Sequence, residues 1–279
     1  MKTYYDSGEA AWQASNTMLH EYPNYHHSLT TYVSLPLRAD YTLNGEPHAI
    51  SIDPPSPLIV RALDELNMAD RSTTRVLDLG CGTASQSLFL AANGYEVTAM
   101  DTNDNALNMA HETARSLGIP PRNFVVKSGS ALELPTAEKY NVIIAGMLLH
   151  FFKKEDNRNI VRQMKSLTLP NGLNLLSAYT TNNPEEERKE RQYLFQPQEL
   201  KSLYAEQNWQ SVSYVERLNQ RPQARGWTKF IVPTIAELIA KKGGPSKRLG
   251  RTALGQDIEY WRRSDPELYN ILLDMSEQT

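Results

Sequence analysis

Residues 75–84 read Arg75-Val76-Leu77-Asp78-Leu79-Gly80-Cys81-Gly82-Thr83-Ala84, and this stretch decides how the chain folds. Its first half is an apolar run that carries one acid, the pattern of a parallel strand buried on both faces. Two glycines follow, and then a helical segment from about Ser85 to Asn93, with Gly94 as the expected C-terminal stop. In a strand, glycine turn and helix of this kind, the backbone turns sharply and a ligand can approach the main chain.

The pattern continues outward. Tyr95 to Met100 reads as a second strand that ends at Asp101. Leu107, Ala110, Ala114 and Leu117 share one face of a helix that stops at Gly118. Asn123 to Lys127 and Tyr140 to Ala145 are a third and a fourth strand. Ile160, Met164 and Leu167 mark a helix ending before Pro170-Asn171-Gly172, and Leu173 to Tyr179 is a fifth strand. Upstream, Ser56 is placed to cap a helix with Pro57 at its first position. Downstream, Gln196-Pro197 opens a helix through Tyr204, and Trp209 to Val215 alternates like a half-exposed strand. Phe230 to Ile239 reads as strand or helix, because Pro233 interrupts it. Strands alternating with helices predict an α/β fold, a parallel sheet with helices on both faces.

Composition bounds the rest. Of 279 residues, 40% are hydrophobic and 22% charged, a globular balance. The single cysteine, Cys81, excludes an intrachain disulfide and a Cys-rich metal site, and fits a reducing compartment. The start, Met1-Lys2-Thr3-Tyr4-Tyr5-Asp6, lacks the apolar core of a signal peptide. No apolar run approaches the roughly 20 residues of a membrane span. A soluble cytoplasmic protein without membrane partners is the expectation. Charge is uneven: residues 1–70 hold nine Asp/Glu against three Lys/Arg, and residues 217–251 hold nine Lys/Arg against one acid, Glu237. Such a field steers an anionic partner, a phosphate, a carboxylate or RNA, or it is two solvated faces.

Three regions follow. Residues 1–54 are rich in Tyr and His, broken into short pieces by Pro36, Asn44-Gly45 and Pro47. Residues 55–242 form the α/β domain. Residues 243–279 open on the linker-like Gly243-Gly244-Pro245 and end in a helix with Leu268, Ile271, Leu272 and Met275 on one face. That stripe is expected to bury against the domain, the substrate region or a second subunit in a homodimer.

The glycine loop carries the chemistry. A dinucleotide turn needs a third glycine, where this chain has Ser85, and an acid two positions before the first glycine opposes a pyrophosphate. Asp78 suits a cationic or amine-bearing ligand instead, and Asp101 can accept hydrogen bonds from a ribose diol. Together they suggest S-adenosylmethionine (SAM), which has an adenosine, an ammonium and a sulfonium. Over about residues 56–240 the chain resembles the class I SAM-dependent methyltransferases, and among them the TehB-type tellurite-resistance methyltransferases. The resemblance rests on Val76 to Gly82, Ser87 to Asp101, Tyr140 to Phe151, Leu169 to Gly172 and Phe195 to Tyr204. It implies a Rossmann-like fold with a mostly parallel seven-stranded sheet; residues 1–54 are expected to add an N-terminal lid or substrate-binding segment, and residues 243–279 a C-terminal helical extension, outside the resemblance. It implies that Asp78, Gly80, Cys81 and Gly82 lie against the methionine part of the cofactor and that Asp101 and Thr102 lie at the ribose. Ser130, where the family often has Asp, and Ala131 lie at the adenine, and Met147 beside the methyl. Ala84 replaces a frequent glycine, and Ser85 replaces an arginine common in TehB-type proteins, which points away from tellurite chemistry.

Methyl transfer is an in-line displacement that needs alignment and the exclusion of water. His150, just past the fourth strand, is the candidate base or else a packing residue. Tyr25, His26 and His27 are candidates for a lid over the substrate, or half-buried packing residues. Adjacent histidines point different ways, so a His-His metal pair is not expected, nor is metal dependence. The expected activity is methyl transfer from SAM to a small-molecule or natural-product acceptor. Alternatives are an RNA or acidic-peptide methyltransferase anchored through residues 217–251, and a non-catalytic SAM-binding protein.

Overall fold

The computed structural model describes residues 38–43, 45–51, 55–66, 68–135, 137–181, 193–218 and 234–243. The glycine-loop unit forms as the sequence predicts. Strand β3 (Arg75–Leu79) leads through the loop into helix α2 (Ser85–Ala92), and Gly94 follows at φ +95. Strand β4 (Glu96–Asp101), helix α3 (Asp104–Ser116), strand β5 (Phe124–Ser128), strand β6 (Tyr140–Gly146), helix α4 (Lys154–Leu167) and strand β7 (Thr168–Tyr179) continue the alternation. Helix α1 (Pro57–Glu65) precedes them. It is capped as expected, with the Ile59 N–H donating to Ser56 Oγ at 3.4 Å and Pro57 in its first turn. A single-turn helix α5 (Glu199–Ser202) and strands β8 (Trp209–Leu218) and β9 (Thr234–Lys242) complete the domain.

The sheet has seven strands in the order β5-β4-β3-β6-β7-β9-β8. The pairs from β5 to β7 are parallel, and β9 runs antiparallel to both of its neighbours. The order reverses at β3, so the connections that leave the paired strands β3 and β6 run to opposite faces of the sheet, and a crevice is expected at their carboxyl ends.

Because side chains alternate across a strand, each central strand feeds two cores. Val76, Val97, Ala99, Val142, Ile144, Leu173 and Leu175 pack with α1, α2 and α3 on one face. Leu77, Leu79, Met100, Ile143, Ala145, Leu176 and Ala178 pack with α4, α5 and Tyr204 on the other. Burial on both faces is why these strands read as unbroken apolar runs.

Four sequence expectations change. Residues 38–51 are not loose pieces: β1 (Arg38–Leu43) and β2 (Glu46–Ser51) form an antiparallel hairpin, and β1 packs against α3. The Asn44-Gly45 dipeptide falls between paired Leu43 and Glu46, with Gly45 at φ +84, a geometry that tight hairpins require. The predicted break at Pro170-Asn171-Gly172 lies inside β7, where the pairing slips from Tyr140–Thr168 to Val142–Leu173 and Asn171 takes φ +62. The helix expected from Gln196 to Tyr204 shrinks to one turn. Of the ambiguous stretch Phe230 to Ile239, the described residues from Thr234 on lie in strand β9, with apolar side chains in both cores. The helix expected near residues 265–275 lies outside the described residues.

The slip in β7 gives a stability prediction. A Cβ at Gly172 would sit 2.7 Å from the Asn141 carbonyl oxygen, 2.8 Å from Thr168 Cγ2 and 2.9 Å from the Leu169 carbonyl oxygen. Two of these neighbours are backbone and cannot swing away. Gly172→Ala is expected to lower unfolding free energy by about 2 kcal/mol in denaturant titration. Unchanged stability would mean that the slip can re-form without this close approach.

Candidate functional site

The site is built at the carboxyl ends of β3, β4 and β6. Past Leu79 the chain reverses with Gly80 at φ +64 and Gly82 at φ +55, values that favour glycine. The N–H groups of Gly80 and Cys81 both donate to the Met100 carbonyl, at 2.8 and 3.1 Å, which ties the loop to β4. A Cβ on Gly80 would sit 2.4 Å from Leu148 Cδ1, so the turn lies directly against the segment that follows β6. Ala84 also takes a left-handed backbone, φ +61, as the N-cap of α2. An alanine there costs roughly 1 kcal/mol that a glycine does not.

Asp101 is the junction. Its Oδ2 accepts from the Gly82 N–H at 2.8 Å and its Oδ1 from the Asn103 N–H at 2.9 Å. Its backbone carbonyl accepts from Gly129 at 3.0 Å. One strand-end residue thus fixes the glycine loop, the start of α3 and the segment after β5. Each carboxylate oxygen retains a second lone pair for a hydroxyl.

Asp78 is almost buried, at 5% exposure, and its Oδ2 accepts from the fully buried Ser87 hydroxyl at 2.6 Å. Burial pushes its carboxyl up to about 7. The Ser87 hydrogen bond pulls the other way, and the neighbouring Asp101 adds to the rise. Desolvation and these two carboxylates also push the Cys81 thiol up, which keeps it protonated. Cys81 packs on the core beneath the loop.

The other expected residues surround this junction. Thr102 is exposed beside Asp101. Ser130 is half-buried, its Oγ accepting from the Leu132 N–H at 3.2 Å, and Ala131 is buried next to it. Met147 takes φ +54, with its N–H shared between the carbonyl and hydroxyl oxygens of Ser177, each at 2.9 Å. His150 lies in a short 3-10 turn (Leu149–Phe151) and is 1% exposed, its ring 4.3 Å from that of Phe151 and 4.6 Å from that of Tyr179. Its carbonyl accepts from the Tyr193 N–H at 3.3 Å. Phe151 itself is 45% exposed. Tyr25, His26 and His27 lie outside the described residues.

Two residues that sequence reasoning passed over belong here: Ser87 and Ser177. Neither stood out in the sequence, since Ser87 follows two other polar residues, Ser85 and Gln86, ahead of the apolar run Leu88-Phe89-Leu90-Ala91.

The basic stretch is partly engaged in the fold. Arg217 and Arg61 both reach the buried Glu237, each at 2.6 Å. Lys241 pairs with Glu65 at 3.1 Å, and Lys242 donates to the carbonyls of Lys165 and Thr168. The remaining cations of residues 217–251 lie outside the described residues. Among the described residues, no three His, Cys, Asp or Glu side chains gather as a metal group, and no helix is long and apolar enough to cross a membrane.

A parallel sheet with one antiparallel strand next to its edge, bearing an acid-headed glycine loop and a strand-end acid, defines the Rossmann-like class I SAM-dependent methyltransferases. The comparisons with known proteins narrow this. The chain belongs to the TehB family: the model of tellurite resistance protein TehB matches residues 64–226. It is 27% identical over 173 residues to the probable S-adenosyl-L-methionine-dependent methyltransferase TehB of Haemophilus influenzae, a match covering 61% of this chain and 58% of that protein. The chain therefore spans little more than half the length of that relative. It is also 25% identical over 180 residues to an uncharacterized methyltransferase of Staphylococcus carnosus, covering 64% of this chain and 80% of that one. The crystal structure of TehB from Haemophilus influenzae superposes with a TM-score of 0.54 at 21% identity, over 75% of this chain and 87% of that one. A SAM-dependent methyltransferase structure from Methanosarcina mazei gives 0.51 at 19% identity, over 68% and 99%.

The buried Asp78 makes stability depend on pH in a predictable direction. Its carboxyl is raised from 3.8 to about 7 by folding, so its contribution is full below the lower value and is lost as pH rises through the upper one. Wild type is expected to lose stability relative to Asp78→Asn between about pH 4 and pH 7. Parallel melting curves of the two proteins across that range would check this, and a constant difference would contradict it.

Proposed function

We propose that this chain is a SAM-dependent methyltransferase acting on a small-molecule or natural-product acceptor. The observation that carries the reading is the joint between Gly82 and Asp101, 2.8 Å between N–H and carboxylate, which sets a ribose-binding acid directly beside an open glycine turn. The residues present fit the cofactor. A Cβ at Gly82 would meet nothing within 4 Å, so that face of the loop is free for a ligand. Asp101 has acceptor capacity for a diol, with Thr102 exposed beside it. Ser130 offers a hydroxyl to the adenine, and Asp78 lends negative charge to a cationic methionine part.

The cofactor supplies a methyl group activated by its sulfonium. The protein's part is positioning. The paired acceptors on Ser177 hold the Met147 backbone in its left-handed turn, which sets the segment after β6 over the reaction crevice. Gly80 and Leu148 pack the cofactor loop against that segment, so donor and acceptor sides share one wall. Attack in line with the departing sulfur needs water kept out, and the buried His150 ring, packed against Tyr179, backs the segment after β6. The burial of His150 supports a packing role for it over that of a base. Tyr25, His26 and His27 are proposed as a lid, and residues 243–279 as a helical extension able to pair two subunits. The acceptor needs no resident metal, and the protein is proposed to work in the cytoplasm.

Calorimetry with S-adenosylhomocysteine (SAH) tests the cofactor reading. One-site micromolar binding is expected, and Asp101→Ala should weaken it by about 1–3 kcal/mol, the cost of a lost charged hydrogen bond. No binding by a folded wild-type protein would end the reading. His150→Ala is expected to lower the melting temperature and leave SAH affinity within about threefold. A fall of roughly 10²–10⁴ in turnover of an identified acceptor, with stability retained, would make His150 the base after all.

A further inference from the structure

The mechanism above leaves Ser87 without a role, although it is a fully buried hydroxyl in the first turns of α2 and bonds to the one acid of the glycine-loop strand. Serine is a modest helix former, and alanine would serve a purely packed position better. Its hydroxyl instead donates to Asp78 Oδ2 at 2.6 Å, a short charge-assisted geometry. Among the described residues, Ser87 is the side chain that donates to this carboxylate. The titratable groups facing it are Asp101 at the end of β4 and Cys81 in the loop, and both interactions are unfavourable to a second negative charge. The register neighbours of Asp78 are Ala99 on β4 and Ile144 on β6, which offer no charge.

We propose that Ser87 is a positioning residue: its hydroxyl holds the Asp78 carboxylate beneath the glycine loop so that its negative charge is available to the ammonium of the bound cofactor. This rests on the cofactor reading given above. The Ser87 hydrogen bond favours the ionised acid, whereas burial and Asp101 oppose it. A cation at the loop would then take sides in that contest. Cofactor affinity should rise with pH through neutrality, and binding should release a proton.

Two measurements on the full chain test this. The first is SAH calorimetry from pH 6 to pH 9 on wild type, Ser87→Ala and Ser87→Cys. Removing the hydroxyl should weaken binding by about tenfold below pH 7 and converge on wild type at the alkaline end. The cysteine, a weaker donor of similar size, should fall between. A loss that is the same at every pH would mean that Ser87 only packs, and it would overturn the proposal. The second measurement needs no ligand. The Asp78 carboxyl carbon, assigned by its loss in Asp78→Asn, is titrated by NMR in wild type and Ser87→Ala. Its midpoint should move up by about one pH unit, the equivalent of that tenfold. An unmoved midpoint would also overturn the proposal. If wild type binds no SAH, the cofactor reading falls, whereas the carboxyl titration still decides whether Ser87 governs Asp78.

Discussion

The architecture of this site depends on one carboxylate accepting two backbone N–H groups. Asp101 could have ended its strand in solvent. Instead it bonds Gly82 in the neighbouring glycine loop and Asn103 at the start of α3. A glycine loop is entropically costly to order, because glycine loses more backbone freedom than any other residue on folding. The Asp101 bond and the two donations to the Met100 carbonyl pin that loop from its neighbouring strand, and the Ala84 N–H donating to the Cys81 carbonyl closes it from within. The second acid, Asp78, feels the first, so burial and Asp101 both work against its ionisation, and only the Ser87 hydroxyl favours it. A cationic ligand is the simplest relief for such a pair, and in this way a constraint on folding becomes a preference in binding.

The sequence made this much legible because buried parallel strands and glycine stops leave strong local marks. Val76-Leu77 and Val142-Ile143-Ile144 announce strands covered on both faces, and Gly94 and Gly118 close helices within a residue of where they were expected. Asp78 and Asp101 were recognisable from their places at the loop and the strand end. Contacts between distant segments left no such mark. Nothing in the spacing of Asp78 and Ser87 reveals a hydrogen bond between a strand and the helix beyond its turn, and the Met147–Ser177 joint spans 30 positions. The hairpin at Arg38–Ser51 was missed for another reason: Asn44-Gly45 was read as a break, although the same dipeptide between extended segments is a turn signal. Strand β9 was ambiguous because Pro233 stands within the apolar run, and a run that serves two cores does not settle the choice by its periodicity.

Charge inside the fold follows a similar logic. Glu237 on β9 is buried and holds Arg61 from α1 and Arg217 from β8, so it links three elements that are far apart in sequence. A buried pair of this kind contributes little net stability against an apolar alternative, whereas removing one partner is expensive. It therefore acts mainly on register, because a slip of β9 by one residue would carry Glu237 to the opposite core. A net positive stretch in the sequence thus need not be a binding surface, since Arg217, Lys241 and Lys242 are spent on anchoring the last two strands.

The placement of β9 has a consequence for how the chain is made. Strand β7 is complete by Tyr179, yet its partner on that side, β9, begins only at Thr234. β8 cannot join the sheet before β9 arrives, because β9 lies between them. During synthesis from the N-terminus, the edge of β7 stays open while more than fifty further residues are added. For that interval Leu173, Leu175 and Leu176 border unpaired N–H and C=O groups, the template on which strands of other chains assemble. The nascent protein thus passes through a five-stranded stage with a sticky edge. The speed with which the ribosome delivers β9 becomes part of what decides between a closed domain and an aggregate.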